Sequence, residues 1–160
     1  MTMPPFALFQ MAYVTDDIDA AARKAMGSFG IGAFQINRDM AIETGQGIAT
    51  AHFALAFLGD TQIEIIQPAG GADDVYRQGI RGRGGSLSFH HAGMLVTEEA
   101  QWCAMVAAIE RSGASVPVRG AFGASMHYLY VDRREEIGHY LEYMWRTEAG
   151  AAIFDAVPRY

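Results

Sequence analysis

Two stretches of this chain decide its fold: Gln10-Met-Ala-Tyr-Val-Thr-Asp-Asp17 and His91-Ala-Gly-Met-Leu-Val-Thr-Glu98. Each is a short run of apolar and β-favouring residues ending in Thr and an acid, and Thr and Asp are side chains that can cap the exposed amides of a helix start. Helical spacing follows both. Ile18, Ala22, Ala25, Met26 and Phe29 recur every three or four residues before Gly30 and Gly32, and Trp102, Val106 and Ile109 do so before Gly113, where a left-handed terminator belongs. Strand-like stretches come next in both halves: residues 33–37, 48–58 and 61–67 with Pro68 as a stop, then residues 115–119, 125–131 and 139–145. The order strand, helix, three strands therefore occurs twice, in modules 7–68 and 87–146, each too small to close a core alone. A Gly-, Asp- and Arg-rich linker, 69–86, joins them and carries one short helix near residues 74–78. The tail, 147–160, opens with a helical pattern.

With the two repeats in register, Gln10 coincides with His91. The last strands, Gln62-Ile-Glu-Ile-Ile66 and Tyr140-Leu-Glu-Tyr-Met144, likewise match Glu64 with Glu142. A carboxylate inside an apolar strand is expensive unless something compensates it, and neither last strand, as read, carries Lys or Arg on the same face. A divalent cation would compensate both at once. One amide oxygen, one imidazole and two carboxylates suit a six-coordinate Ni, Co, Mn, Fe or Mg ion, with Zn a further option, and leave positions for water or substrate. His90 and His139 fall out of phase by strand alternation and read as packing or surface residues.

Composition sets the outer bounds. With 160 residues, 51% hydrophobic and 19% charged, the chain can bury a core and is not disordered. A net charge of -6, with Arg77, Arg81 and Arg83 as the one dense basic cluster, argues against nucleic acid. Cys103 is alone, which excludes an internal disulfide framework and a thiolate cage. No apolar run reaches membrane-spanning length, and the opening residues lack a signal peptide's charged and apolar regions, so a soluble, cytoplasmic protein is expected. Arg81-Gly-Arg-Gly-Gly85 lacks the context and the Lys-Ser/Thr ending of a P-loop. It reads as a flexible loop whose arginines could meet an acidic group.

The duplicated unit, the Gln10/His91 pair and the phrases Gln62-Ile-Glu-Ile-Ile-Gln-Pro68 and Gly138-His-Tyr-Leu-Glu-Tyr143 resemble the vicinal oxygen chelate superfamily. That group includes glyoxalase I, methylmalonyl-CoA epimerase, extradiol dioxygenases and bleomycin-resistance proteins. The resemblance covers residues 7–146. It implies an α+β fold of two tandem βαβββ modules forming a half-barrel, with the metal ligands at Gln10, Glu64, His91 and Glu142 and one divalent ion as cofactor. The implied activity is that of a metal-dependent isomerase, epimerase or lyase acting on a small carbonyl or thioester compound through an enolate, with Glu142 as first choice of base and Glu64 as second. His52, His127, Phe53, Phe57, Met126 and Tyr140 are the side chains expected around the substrate. A homodimer is expected, because half-barrels of this family pair across an edge and exposed strand edges need covering. Two rivals stand beside this reading. An Fe(II)-dependent ring-cleaving dioxygenase would use two His and one carboxylate, a pattern from which Gln10 and Glu64 depart. A non-catalytic module would sequester a hydrophobic small molecule.

Overall fold

The computed structural model describes residues 6–160. The first apolar run forms β1 (Ala7–Val14), and Asp17 caps α1 (Ile18–Phe29) by accepting the Ala20 N–H. Module one continues with β2 (Gln35–Thr44), β3 (Gly47–Leu58) and β4 (Thr61–Gly71), and α2 (Asp74–Arg77) lies in the linker. Module two contains β5 (Ser88–Val96), α3 (Glu99–Ser112), β6 (Val118–Phe122), β7 (Met126–Arg133), a short α4 (Arg134–Ile137) and β8 (His139–Arg146), followed by α5 (Glu148–Ala152). Gly30 and Gly113 end α1 and α3 in the left-handed region, at φ 71° and 70°, where a side chain would be strained. No helix among the described residues is long and apolar enough to cross a membrane.

All eight strands form one sheet in the order β2-β3-β4-β1-β5-β8-β7-β6. Within each module the first strand runs parallel to the last, and antiparallel pairing of β1 with β5 joins the modules. The register preserves the repeat: Gln10 lies opposite Gln62 and Ala12 opposite Glu64, while His91 lies opposite Tyr140 and Gly93 opposite Glu142. The sheet curls until its two edges approach, where Gly45 N–H donates to Pro117 O at 2.8 Å. A nearly closed barrel results, so part of the edge cover for which a dimer was expected comes from the chain itself.

Both long helices lie outside the barrel. Ala21, Ala22 and Ala25 of α1 pack on Ala54 and Ile65, small partners that let helix and sheet approach closely, and Trp102, Met105, Val106 and Ile109 of α3 pack on Leu129, Val131 and Tyr143. Inside, one apolar cluster gathers Tyr76, Tyr128, Tyr130 and Tyr140, and another gathers Phe9, Leu55, Phe57, Met126, Met144 and Phe154. The candidate donors lie between strands that contribute to both.

At four places the structure departs from the sequence reading. Pro68 does not stop β4, which runs on to Gly71, because Pro68 pairs with Ala51 where the ladder to β3 is bulged and no amide is needed. The strand β8 reaches Arg146, which puts a guanidinium on Glu142's face after all; it sits four residues on, about 13 Å along the strand, taken up between the rings of Phe9 and Phe154. The Gly-rich loop is tied down, since Gly84 and Gly85 donate to the Asp16 carboxylate at 2.9 and 2.8 Å, so these amides are not a free phosphate cradle. Finally, the tail is helical only over α5. Its last residues run beside β3, with Phe57 N–H donating to Pro158 O at 2.8 Å and Tyr160 N–H to Phe57 O at 3.0 Å.

Candidate metal centre

Strand alternation places Gln62 and Glu64 of β4 and Glu142 of β8 inside the barrel, while Ile63 and Ile65 turn outward toward α1 and its end. The first strands reach the same point through bulges. Leu8 pairs with Met94 but Gln10 with Gly93, so Phe9 is an extra residue on β1; Ala12 pairs with His91 but Tyr13 with Phe89, so His90 is an extra residue on β5. A bulge breaks the alternation and re-aims the side chains beside it. Each module thus carries its extra residue immediately before its donor, Gln10 or His91.

The four donors converge on Nε2 of His91. Gln10 Oε1 is 3.1 Å away, Glu142 Oε2 3.3 Å and Glu64 Oε2 3.5 Å, and all four residues are buried. The Gln10 amide is oriented by its own Nε2, which donates to Gln62 Oε1 at 2.7 Å. Gly93 makes room for it, since a Cβ there would lie 2.7 Å from Gln10 Cβ and 2.9 Å from Oε1.

The imidazole tautomers follow from a chain of contacts. Val75 O, a carbonyl that can only accept, is 2.9 Å from His90 Nε2, and His90 Nδ1 is 2.9 Å from His91 Nδ1. Burial pushes both imidazoles down to about 3, with His91 a further cause for His90 and His139 one for His91, so each is neutral and carries one proton. His90 therefore donates from Nε2 and accepts at Nδ1, His91 donates from Nδ1, and His91 Nε2 presents a lone pair. Four lone-pair-bearing atoms face one another across the gap.

Protons or a cation can occupy that gap. Burial, and the charge of Glu142, push the Glu64 carboxyl well above its ordinary range, and burial pushes Glu142 up to about 8. Glu142 Oε2 is buried without a hydrogen-bond partner. No three His, Cys, Asp or Glu side chains among the described residues make a ready-made metal cage as placed, and the donors are gathered about His91 Nε2. Their separations are nonetheless close to the roughly 3 Å between neighbouring ligands of a six-coordinate ion with bonds of about 2.1 Å. An orphaned buried carboxylate oxygen, a lone pair fixed toward it and a mixed N/O set fit a hard or borderline divalent ion.

A cavity of about 170 Å³ opens from these donors, and Phe53 and Met126 line it. The other four side chains placed around the substrate lie elsewhere. Phe57 is buried in the apolar cluster beneath the tail, and Tyr140 packs on the far side of the donors, 4.9 Å from the His90 ring. His52 is on the outer face, where its Nδ1 accepts the Asp39 N–H at 3.0 Å; its register partner Gln67 caps the N–H of Ile18 in α1. His127 also faces outward, 5.5 Å from Trp145 and 6.3 Å from Trp102 of α3. Both histidines sit one residue out of phase with a cavity-lining neighbour.

Three contributors to the site were not read from sequence: Gln62, Gly93 and His90. Gln62 was legible, being two residues from Glu64 on one strand. His90 was assigned to the opposite face, and the structure places it beside His91 because of the bulge. His139, by contrast, does lie away from the donors, its Nδ1 2.7 Å from Tyr140 O.

The sequence matches no family model and no curated protein. Solved structures do match over nearly the whole chain. A methylmalonyl-CoA epimerase from Mycobacterium tuberculosis aligns over 91% of this chain and 91% of its own, with a TM-score of 0.58 and 17% identity. A methylmalonyl-CoA epimerase solved with methylmalonyl-CoA and ammonium aligns over 89% and 96%, with a TM-score of 0.56 and 15% identity. A hypothetical protein from Bacillus halodurans aligns over 89% and 96%, with a TM-score of 0.58 and 14% identity. With its paired βαβββ modules, single curled sheet and inward-facing donors, this chain has the glyoxalase-like, vicinal oxygen chelate fold that the methylmalonyl-CoA epimerases share.

Proposed function

We propose that the protein is a metal-dependent isomerase or epimerase that moves a proton on the carbon beside a carbonyl or thioester group. The observation that carries this reading is the convergence of Gln10 Oε1, Glu64 Oε2 and Glu142 Oε2 on the His91 Nε2 lone pair at the floor of a cavity. A divalent ion held by these four side chains would supply a Lewis acid for the substrate's carbonyl oxygen and so favour the enolate form. Gln10 and His91 are positioned by Gln62 and His90 and hold no transferable proton at the site. Glu142 is the base: its Oε2 has no competing hydrogen bond and it lines the cavity, so its carboxylate can take the proton directly. Glu64, the second carboxyl lining the cavity, gives a proton of its own to the enolate carbon, and solvent restores both carboxyls. The structural likeness to methylmalonyl-CoA epimerases supports an epimerase-type reaction over a lyase.

The ring-cleaving alternative is disfavoured, because His90 is turned away to Val75 and one imidazole, not two, faces the gap. Ligand sequestration draws support from the apolar walls, but it gives no role to two buried carboxyls. In heavy water, a panel of hemithioacetals and 2-substituted acyl thioesters should acquire deuterium beside the carbonyl with the metal-loaded protein and no faster than background with Glu142→Gln. Fe(II)-dependent oxygen uptake with a catechol would overturn the proposal.

A further inference from the structure

The cavity above the donors is walled by Ile42, Phe53, Leu55, Met126, Met144 and Phe154, with Phe122 and Ile153 at exposed positions. No Lys, Arg or His is among its lining residues, whose acids are Glu64 and Glu142 themselves. Arg146, the guanidinium on the same strand face, stacks on Phe9 and Phe154 and does not line the space. A second substrate carboxylate brought into this cavity would lose its water, find no cation on the walls and approach two buried carboxyls. One structural neighbour was solved with methylmalonyl-CoA, whose acyl group bears such a carboxylate. This chain's walls offer that group the neutral Asn37 amide and the Tyr128 and Tyr130 hydroxyls, and no cation. At about 170 Å³ the space compares with apolar cavities of roughly 150 Å³ that accept one benzene.

We infer that the substrate is a carbonyl compound whose group beside the carbonyl is apolar and about the size of one aromatic ring, and that malonyl-type acids are excluded. The inference rests on the metal-carbonyl reading given above. Within it, selectivity comes from the walls, and the donors treat all such carbonyls alike.

Hydroxamates separate the two layers, because they chelate a divalent ion through two oxygens while their substituent occupies the cavity. Calorimetric titration of the Co²⁺-loaded protein with acetohydroxamate, butyrohydroxamate, phenylacetohydroxamate and malonic monohydroxamate is the test. Affinity should rise roughly fourfold for each added CH₂. Phenylacetohydroxamate should bind at least about tenfold more tightly than acetohydroxamate, and the malonic compound should bind more weakly than either. Ile153→Lys, at a position 54% exposed on the lining, adds the missing cation without disturbing the core and should raise affinity for the malonic compound selectively. A flat series, or a malonic compound that binds best to the unaltered protein, overturns the substrate class while leaving the metal reading in place. The same apolar order in metal-free protein overturns the metal reading and supports the substrate class. No binding to the loaded protein overturns both.

Discussion

His90 Nδ1 lies 2.9 Å from His91 Nδ1, and this contact between neighbouring residues fixes which nitrogen of His91 faces the other donors. It exists because His90 is the extra residue of a bulge. Replacing His90 with Phe keeps an aromatic ring against Tyr76, Tyr130 and Tyr140 but removes the acceptor. Divalent-ion affinity should fall about 10- to 100-fold with the fold retained, whereas His139→Ala should leave it unchanged. Metal-competition titrations with a chromophoric chelator check both.

Gly93 faces Gln10 so closely that a methyl group would meet its Cβ and Oε1. Gly93→Ala should displace the Gln10 amide, break its bond to Gln62 and weaken metal binding by about tenfold. A crystal structure of the variant should show Gln10 turned away from His91.

The carboxyls give the metal-free protein a pH dependence of defined sign. Glu64 and Glu142 titrate high in the fold, Glu142 at about 8, so the unfolded chain loses those protons first and stability falls as pH rises. Neutral His90 and His91, at about 3, act in the opposite sense below the ordinary histidine range of about 6.5. The net fall is therefore read between about pH 7 and 8. Metal-free protein should lose about 3–5 °C in Tm over that interval, up to roughly 1.4 kcal/mol per proton. Glu142→Gln should flatten the slope. Since metal must displace these protons, its affinity should rise over the same interval.

The C-terminal segment closes one end of the barrel through Phe154, which stacks on Arg146 and packs with Phe9, Leu55 and Met144. Phe154→Ala should cost about 3 kcal/mol, the low end for a buried aromatic because the ring also borders the cavity. Metal affinity should not change. Denaturant unfolding and a metal titration of the same variant separate the two effects.

The repeat and the four donors were legible because their signals are local: two apolar runs ending in Thr and acid, and Glu64 and Glu142 in matched phrases. What escaped depends on pairing. Strand alternation sent His90 outward, yet the bulge against Ala12 and Tyr13 turns it inward. His52 and His127 were placed in the cavity from their strands alone, but phase sets them on the helix-covered face, beside Phe53 and Met126 that do line it. Pro68 was read as a stop, although a bulge that makes its neighbour Ala69 the extra residue of β4 lets the strand continue. Residues 158–160 left no sequence signal of their pairing beside Phe57, because a single backbone bridge needs no side-chain pattern.

Whether Gln10, Glu64, His91 and Glu142 enclose one divalent ion is decided by calorimetric titration of chelator-treated protein with Co²⁺ at pH 8. The expected result is an end point of one ion per chain with proton release, and loss of that binding in His91→Ala and Glu142→Ala variants that still fold. Absence of a one-per-chain end point in the unaltered protein, or undiminished affinity in His91→Ala, would contradict it.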